Sequence, residues 1–391
     1  MQKQLSFFRS MLKIGCIGFG GGNALIPLLE KEFIGEGNLD TKKNFDEDVL
    51  VANLTPGALP VELAASLGWR NFGALGMLLG ATAMALPGVL MTILLLTCLT
   101  PLRARIGTIM DLLTILISIY IIVLIIRYIK KVYLGCKKFS SLFFRRAVFV
   151  MLAVFLLTCG KNLYSLLGIE GTPLFCFSTF HILASAFVII LIINTIRRIR
   201  ASAKKKKKVP TRTTELEPPY DLLIWFLFLL VIALPALLFR NSLINYLIFM
   251  VKGCTSTLLS FGGGDAYLAV ADGLFVETGI VSASAFYGDI VPVANILPGS
   301  ILCKALTAIG YYYGISTTGS VAGGLVFALG GFGVSVATSC IVFRVVSYLY
   351  GHLSGFRSVQ TISHYIGPII CGLLGTVILA LLNLMKNALP F

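Results

Sequence analysis

Ionisable side chains are scarce in the apolar stretches of this chain, and the few set inside them are the first place to look for chemistry. Glu62 and Lys304 each stand in such a stretch. Intramembrane charge is costly and marks an ion pathway, a proton relay or a counter-charge. An anion could compete with Glu62 for Lys304, or Glu62 could carry a proton. Lys13 and Lys252 each precede a Gly-rich segment and could also supply positive charge. The alternative is that these long side chains snorkel to an interface, and it stays open for all of them.

Backbone groups can do comparable work. Gly20, Gly21 and Gly22 are followed by Asn23, and Gly262, Gly263 and Gly264 by Asp265. Each Gly inside a helix costs about 1 kcal/mol relative to Ala. Such a run either lets two helices approach closely or breaks a helix so that freed N–H groups line a site. Asn23 and Asp265 can bind a partner or cap a restarted helix. Pro56-Gly57 and Pro298-Gly299 make the same case, each three residues beyond an Asn, Asn53 and Asn295. Pro removes a donor and interrupts the helix. A helix that resumes beyond it aims a positive end at the break, which suits an oxyanion. Asn53 and Asn295 add amide donors. A plain helix-initiating turn is the competing explanation.

These motifs come in pairs because the chain repeats itself. From Phe19 to Gly57, 13 of 39 positions recur 242 residues later without a gap. Chance would give about three at average residue usage. Glu62 pairs with Lys304, Glu30 with Asp272, and Gly68 with Gly310 at the same offset.

The elements that must position them are membrane helices. Of 391 residues, 57% are hydrophobic and 13% charged, against about 25% charged in a soluble domain. Apolar runs predict eleven spans: 5–29, 48–67, 73–99, 106–128, 144–160, 174–196, 221–240, 243–270, 287–310, 317–349 and 362–386. The tenth is long enough to bend or break at Gly330, Gly331 and Gly333. The fold expected is an all-α polytopic membrane protein of about 10–12 transmembrane helices. Seven spans separate the two copies, an odd number, so inverted-topology repeats are expected, with broken helices at the Gly-rich and Pro-Gly motifs. Residues 1–200 form the N-terminal repeat with its basic loop, 201–219 a cytoplasmic linker, and 220–391 the C-terminal repeat.

The net charge of +15 is concentrated in two loops, seven basic residues from Arg127 to Arg146 and nine from Arg197 to Arg212. Such loops are cytoplasmic and attract anionic lipid. That accounts for the charge without nucleic acid and places the N-terminus in the cytoplasm too. No cleavable leader is expected. Nine Cys without a Cys-x-x-Cys pair, and three scattered His, give no metal site and no disulfide framework.

Lys13-Ile-Gly15, Phe19-Gly-Gly21, Pro56-Gly57, the small-residue helix through Gly68, Gly73, Gly76 and Gly80, and Leu86-Pro87 together resemble the two-domain form of the chromate transporter (CHR) family. Both halves show the pattern, over roughly 5–100 and 245–345. The resemblance implies secondary transport of chromate, with sulfate as its near mimic, in the plasma membrane of a prokaryote, without a cofactor. The sequence departs from the family where Gly22, Asn23 and Ala24 replace a Pro and a nearby His. It departs again where Pro-Gly-Pro becomes Pro56-Gly57-Ala58 and Pro298-Gly299-Ser300. The expected partners are an inorganic oxyanion and membrane lipid, with a homodimer left open. A transporter or channel for another solute or organic anion remains an alternative. So does a membrane enzyme or assembly subunit, although no cluster of His, Cys and acids of the kind catalysis needs is visible.

Overall fold

The computed structural model describes residues 2–18, 25–36, 39–103, 107–137, 140–169, 222–260, 264–352 and 357–388, with 177, 182 and 185 as isolated positions. Among them every regular element is a helix. The first half contains α1 (Gln2–Ile17), α2 (Ile26–Leu29, running on through a π-helical turn Glu30–Glu36), α3 (Lys42–Leu54), α4 (Leu59–Arg103), α5 (Gly107–Lys137), α6 (Ser141–Thr158) and α7 (Gly160–Leu167). The second half contains α8 (Leu222–Ala233), α9 (Leu243–Leu258), α10 (Gly264–Ala271), α11 (Val291–Ile296, continuing Ala283–Ala285 and Phe286–Ile290), α12 (Ile301–Thr318), α13 (Val321–His352) and α14 (Arg357–Ala388).

Four stretches are long and apolar enough to cross a membrane: Leu59–Cys98, Ser141–Thr158, Leu222–Leu258 and Val321–Tyr348. Large apolar side chains stay exposed along them, among them Leu94, Phe149, Leu223, Val231 and Leu238. Water would penalise each by about 1.5–3 kcal/mol, whereas lipid takes them without cost. The span expected at 174–196 and the linker 201–219 lie outside the described residues.

The helices stop where the sequence motifs predict. α1 ends at Ile17 and helix resumes at Ile26, while α9 ends at Leu258 and α10 begins at Gly264. The spans expected at 5–29 and 243–270 are therefore each interrupted just before a Gly run. α3 ends at Leu54 and α4 starts at Leu59, and α11 ends at Ile296 and α12 starts at Ile301. The residue after each stop, Thr55 (φ −88, ψ 148) and Leu297 (φ −78, ψ 150), is extended in the same way.

α4 is not one straight rod. Gly73 leaves the helical region (φ 66, ψ −155), and the chain doubles back there. A Cβ added to Gly80 would sit 2.5 Å from the Ala64 carbonyl oxygen, yet sixteen residues of straight helix would separate them by about 24 Å. The second half repeats this hairpin as α12 and α13, turning at Gly319 (φ 68). Gly68 meets the Gly76 carbonyl where Gly310 meets the Phe327 carbonyl, and Gly80 meets Ala64 where Gly331 meets Leu306. Paired positions thus stay 242 apart up to the turn and 251 apart beyond it.

The break expected at Gly330, Gly331 and Gly333 is not there, because α13 continues as helix across all three. Their missing side chains instead admit Tyr246, the Leu306 backbone and Ile232, respectively. Small residues serve close helix approach here, as they commonly do in membranes.

Polar contacts tie the shell of the first half. Arg70 bridges Asp40 (2.6 Å) and Asp48 (2.5 Å), and Ser66 donates to the other oxygen of Asp48 at 2.7 Å. The Arg344 guanidinium of α13 lies 3.8 Å over the Trp69 ring, joining the halves. Asp48 is buried, so removing Arg70 takes away its counter-charge. Arg70→Ala is expected to cost about 3 kcal/mol, read as a lowered melting temperature in detergent. An unchanged melting temperature would show that the network adds no stability.

Candidate functional site at the crossing of the two halves

The repeats meet by exchange. The Gly57 N–H of the first Pro-Gly turn donates to the Ser260 carbonyl at 3.0 Å, just before the second Gly run. The Gly299 N–H of the second Pro-Gly turn donates to the Gly18 carbonyl at 2.9 Å, just before the first Gly run. All four residues obey the 242 offset, so the two bonds are images of each other about a local twofold. Gly57 (φ 141) and Gly299 (φ 92) hold backbone conformations that L side chains avoid, which explains Gly at both.

Each crossing sits against the outgoing arm of the opposite hairpin. Gly88 of α4 packs on the Pro298 carbonyl, on Gly299 and on the stem of Lys304, whose Cδ would lie 3.2 Å from an added Cβ. Ser339 of α13 packs on Gly57, and its Oγ accepts the Ala58 N–H at 3.0 Å. Gly88 and Ser339 are 251 apart and therefore occupy equivalent places. One crossing is closed by a hydroxyl at the helix start. The other has no such cap: Ser300 makes no side-chain cap on α12, and Gly88 has no side chain to offer.

Glu62 and Lys304 lie in the first turns beyond the two breaks, Glu62 fully buried and Lys304 1% exposed. Both reach back seven residues. Thr55 Oγ1 donates to Glu62 Oε2 at 2.9 Å, and Lys304 Nζ donates to the Leu297 carbonyl. Glu62 Oε1 has no hydrogen-bond partner among the described residues and faces Gly57. Among the described residues the two charges form no ion pair with each other.

The remaining expected site residues divide. Pro56, Gly57, Pro298 and Gly299 form the crossings. Asn53 Nδ2 donates to Val49 O at 2.7 Å and Asn295 Nδ2 to Val291 O at 2.8 Å, so both amides are tied to their own helices. Lys252 Nζ is turned away, to Thr278 Oγ1 at 2.8 Å and Leu274 O at 3.4 Å. Gly20, Gly21, Gly22, Asn23, Gly262 and Gly263 lie outside the described residues. Gly264 and Asp265 open α10. Sequence reasoning missed Gly88, Ser339, Thr55, Gly18 and Ser260. The last two were accessible, since they share the 242 offset and directly precede the Phe-Gly-Gly-Gly motifs.

Helices broken in pairs, buried charge at the breaks and exposed apolar flanks define an all-α membrane protein. The family described as Chromate transporter matches residues 5–175 and 247–390, and the chain belongs to it. It is similar to the "Uncharacterized transporter YwrB" of Bacillus subtilis (35% identical over 78 residues, 20% of this chain and 40% of that one). It is also similar to the "Probable chromate transport protein" of Synechococcus elongatus (32% over 93 residues, 24% and 23%). A third relative is the "Chromate transport protein" of Cupriavidus metallidurans (32% over 84 residues, 22% and 21%). These matches span from about a fifth to two fifths of the relatives' own length. No solved structure matches.

Proposed function

We propose that this chain is a secondary transporter of a tetrahedral oxyanion, with chromate as substrate and sulfate as its mimic, in the plasma membrane. The observation that carries the reading is the uncapped start of α12. Its first N–H groups have no side-chain cap, Lys304 is buried beside them and donates to the Leu297 carbonyl, and Gly88 packs there without a side chain to cap them. A dianion in a dry pocket needs donors and counter-charge together, and a helix start adds about half a positive charge. The names of the Synechococcus and Cupriavidus relatives support chromate. The test is flux of radiolabelled chromate, sulfate and an organic anion into proteoliposomes. Saturable chromate flux competed by sulfate is expected, and flux of the organic anion alone would overturn the substrate assignment.

The two halves are read as inverted in the membrane, with the N-terminus and the basic loops 127–146 and 197–219 in the cytoplasm. Cys introduced in place of exposed Lys43 and Ser282 is expected to label from opposite sides. Labelling of both from one side would make the repeat parallel.

Glu62 is the coupling carboxylate in this reading, since its free oxygen faces the crossing. A side chain that exchanges a proton makes flux vary with pH, and an amide cannot. Glu62→Gln is therefore expected to flatten the pH profile of chromate flux while a pH-independent rate persists. An unaltered profile would remove Glu62 from coupling.

A further inference from the structure

We propose that the cavity enclosed by α6, α7, α14 and residues 272–287 is a second proton site. In it Asp272 takes up and releases the proton, and Tyr287 steadies it. The cavity holds about 340 Å³ and its lining includes Lys161, Asn162, Asp272, Glu277, Tyr287 and Thr376. It is remote from the residues of the crossing, none of which lines it.

The internal repeat supplies a control. Asp272 is the counterpart of Glu30 at the 242 offset. Glu30 sits near the surface and pairs with Lys42 at 2.8 Å. The counterpart of Lys42 is Ser284, so the second half has lost the counter-charge. It has also buried the acid, because Asp272 is 9% exposed. A buried carboxylate needs compensation, and a proton supplies it where no lysine is in ion-pair contact.

Tyr287 is the second observation. It is 2% exposed, lines the cavity, and its hydroxyl lies beside the Asp272 carboxylate without meeting hydrogen-bond geometry to any described group. A phenol so placed can donate to the carboxylate and, after a small rotation, accept from the carboxylic acid.

The other charges facing Asp272 do not neutralise it. Lys161 of α7 stands on the same cavity wall and attracts the Asp272 carboxylate without an ion-pair contact between them. Glu277 is exposed at the rim and adds negative charge. Lys252 of α9 is turned to Thr278, and Asp289 accepts from Tyr312 of α12 at 2.6 Å. Among the described residues α5 contributes no side chain to the lining, and α14 contributes Thr376 and Ala380. The Thr158 and Thr376 hydroxyls donate to their own helices. A metal ion would want a shell of oxygens and would be repelled by Lys161, whereas a proton needs a single carboxylate.

The location gives the proton a purpose. Asp272 follows directly on α10, which starts at Gly264, the last residue of the second Gly run. Eight helical residues, about 12 Å, connect the acid to the crossing. Neutralising Asp272 at one end of α10 biases the position of the Gly run at the other. This last step rests on the transport reading above, whereas the proton site does not.

Infrared difference spectra of the full-length protein in lipid nanodiscs, between acidic and alkaline buffer, test the site directly. A protonated-carboxyl band that titrates is expected, diminished in Asp272→Asn, shifted in frequency in Tyr287→Phe, and retained in part in Glu62→Gln. A band of full intensity in folded Asp272→Asn, or one moved by Na⁺ at constant pH, would overturn the proposal. In proteoliposomes, uptake driven by a pH gradient is expected to fall at least tenfold in Asp272→Asn. If wild-type protein moved no chromate while the band still vanished in Asp272→Asn, the proton site would stand and the substrate would be wrong.

Discussion

Replacing Lys304 by Met is expected to weaken chromate binding by between ten- and a hundredfold, while Lys13→Met leaves it within about twofold. The difference follows from burial. Lys304 is 1% exposed in the first turn beyond the Pro298-Gly299 break, where a charge-assisted hydrogen bond contributes about 1.5–3 kcal/mol. Lys13 is exposed on α1, where solvent screens it. Met keeps the apolar stem that packs against Gly88, so the substitution removes charge more than volume. Equilibrium binding of radiolabelled chromate to purified protein reads the effect. Wild-type affinity in Lys304→Met would take the counter-charge away from this residue.

Gly88→Val carries the second large effect. A Cβ at this place runs into the Pro298 carbonyl and comes within 3.5 Å of the Gly299 Cα. Both obstacles are backbone, pinned by the Gly299–Gly18 hydrogen bond, so neither yields as a side-chain tip would. Chromate flux is expected to drop at least a hundredfold while the protein still inserts and purifies. Gly135→Ala is the matched control, because nothing stands within 4 Å of its added Cβ. Flux above a tenth of wild type in Gly88→Val would mean that the α12 crossing is not the anion's path.

The breaks and their pairing were readable from the sequence because they depend on local chemistry. Pro56 and Pro298 cannot continue a helix, and the same motifs recur at one offset. The partners across the crossing were harder. Ser339 and Gly88 occupy equivalent places only after the register moves from 242 to 251 at the hairpin, and nothing in the residues themselves announces that shift. Gly330, Gly331 and Gly333 looked like a break. Three Gly in a helix read the same whether they free backbone groups or admit a neighbour, and only the approach of Leu306 and Tyr246 decides it. Lys252 resembled a site residue by its place before a Gly run, but side-chain direction on a helix depends on the packing of α9, and Thr278 captures it. Glu62 and Lys304 were found as buried charges, while their separate tethers to Thr55 and Leu297 required the extended residues at each break.

The exchanged bonds also set a timetable for synthesis. The Gly18 carbonyl gains its partner only when Gly299 has been made, about 280 residues later. At roughly 5–20 residues per second that is about 15 to 60 seconds. During this interval the first half sits in the bilayer with the end of α1 open and the Pro56-Gly57 turn waiting for Ser260. An unmatched carbonyl in hydrocarbon costs several kcal/mol, so water or a neighbouring protein must serve it. The early half-molecule is the stage most exposed to wrong pairing, including pairing with the first half of another copy.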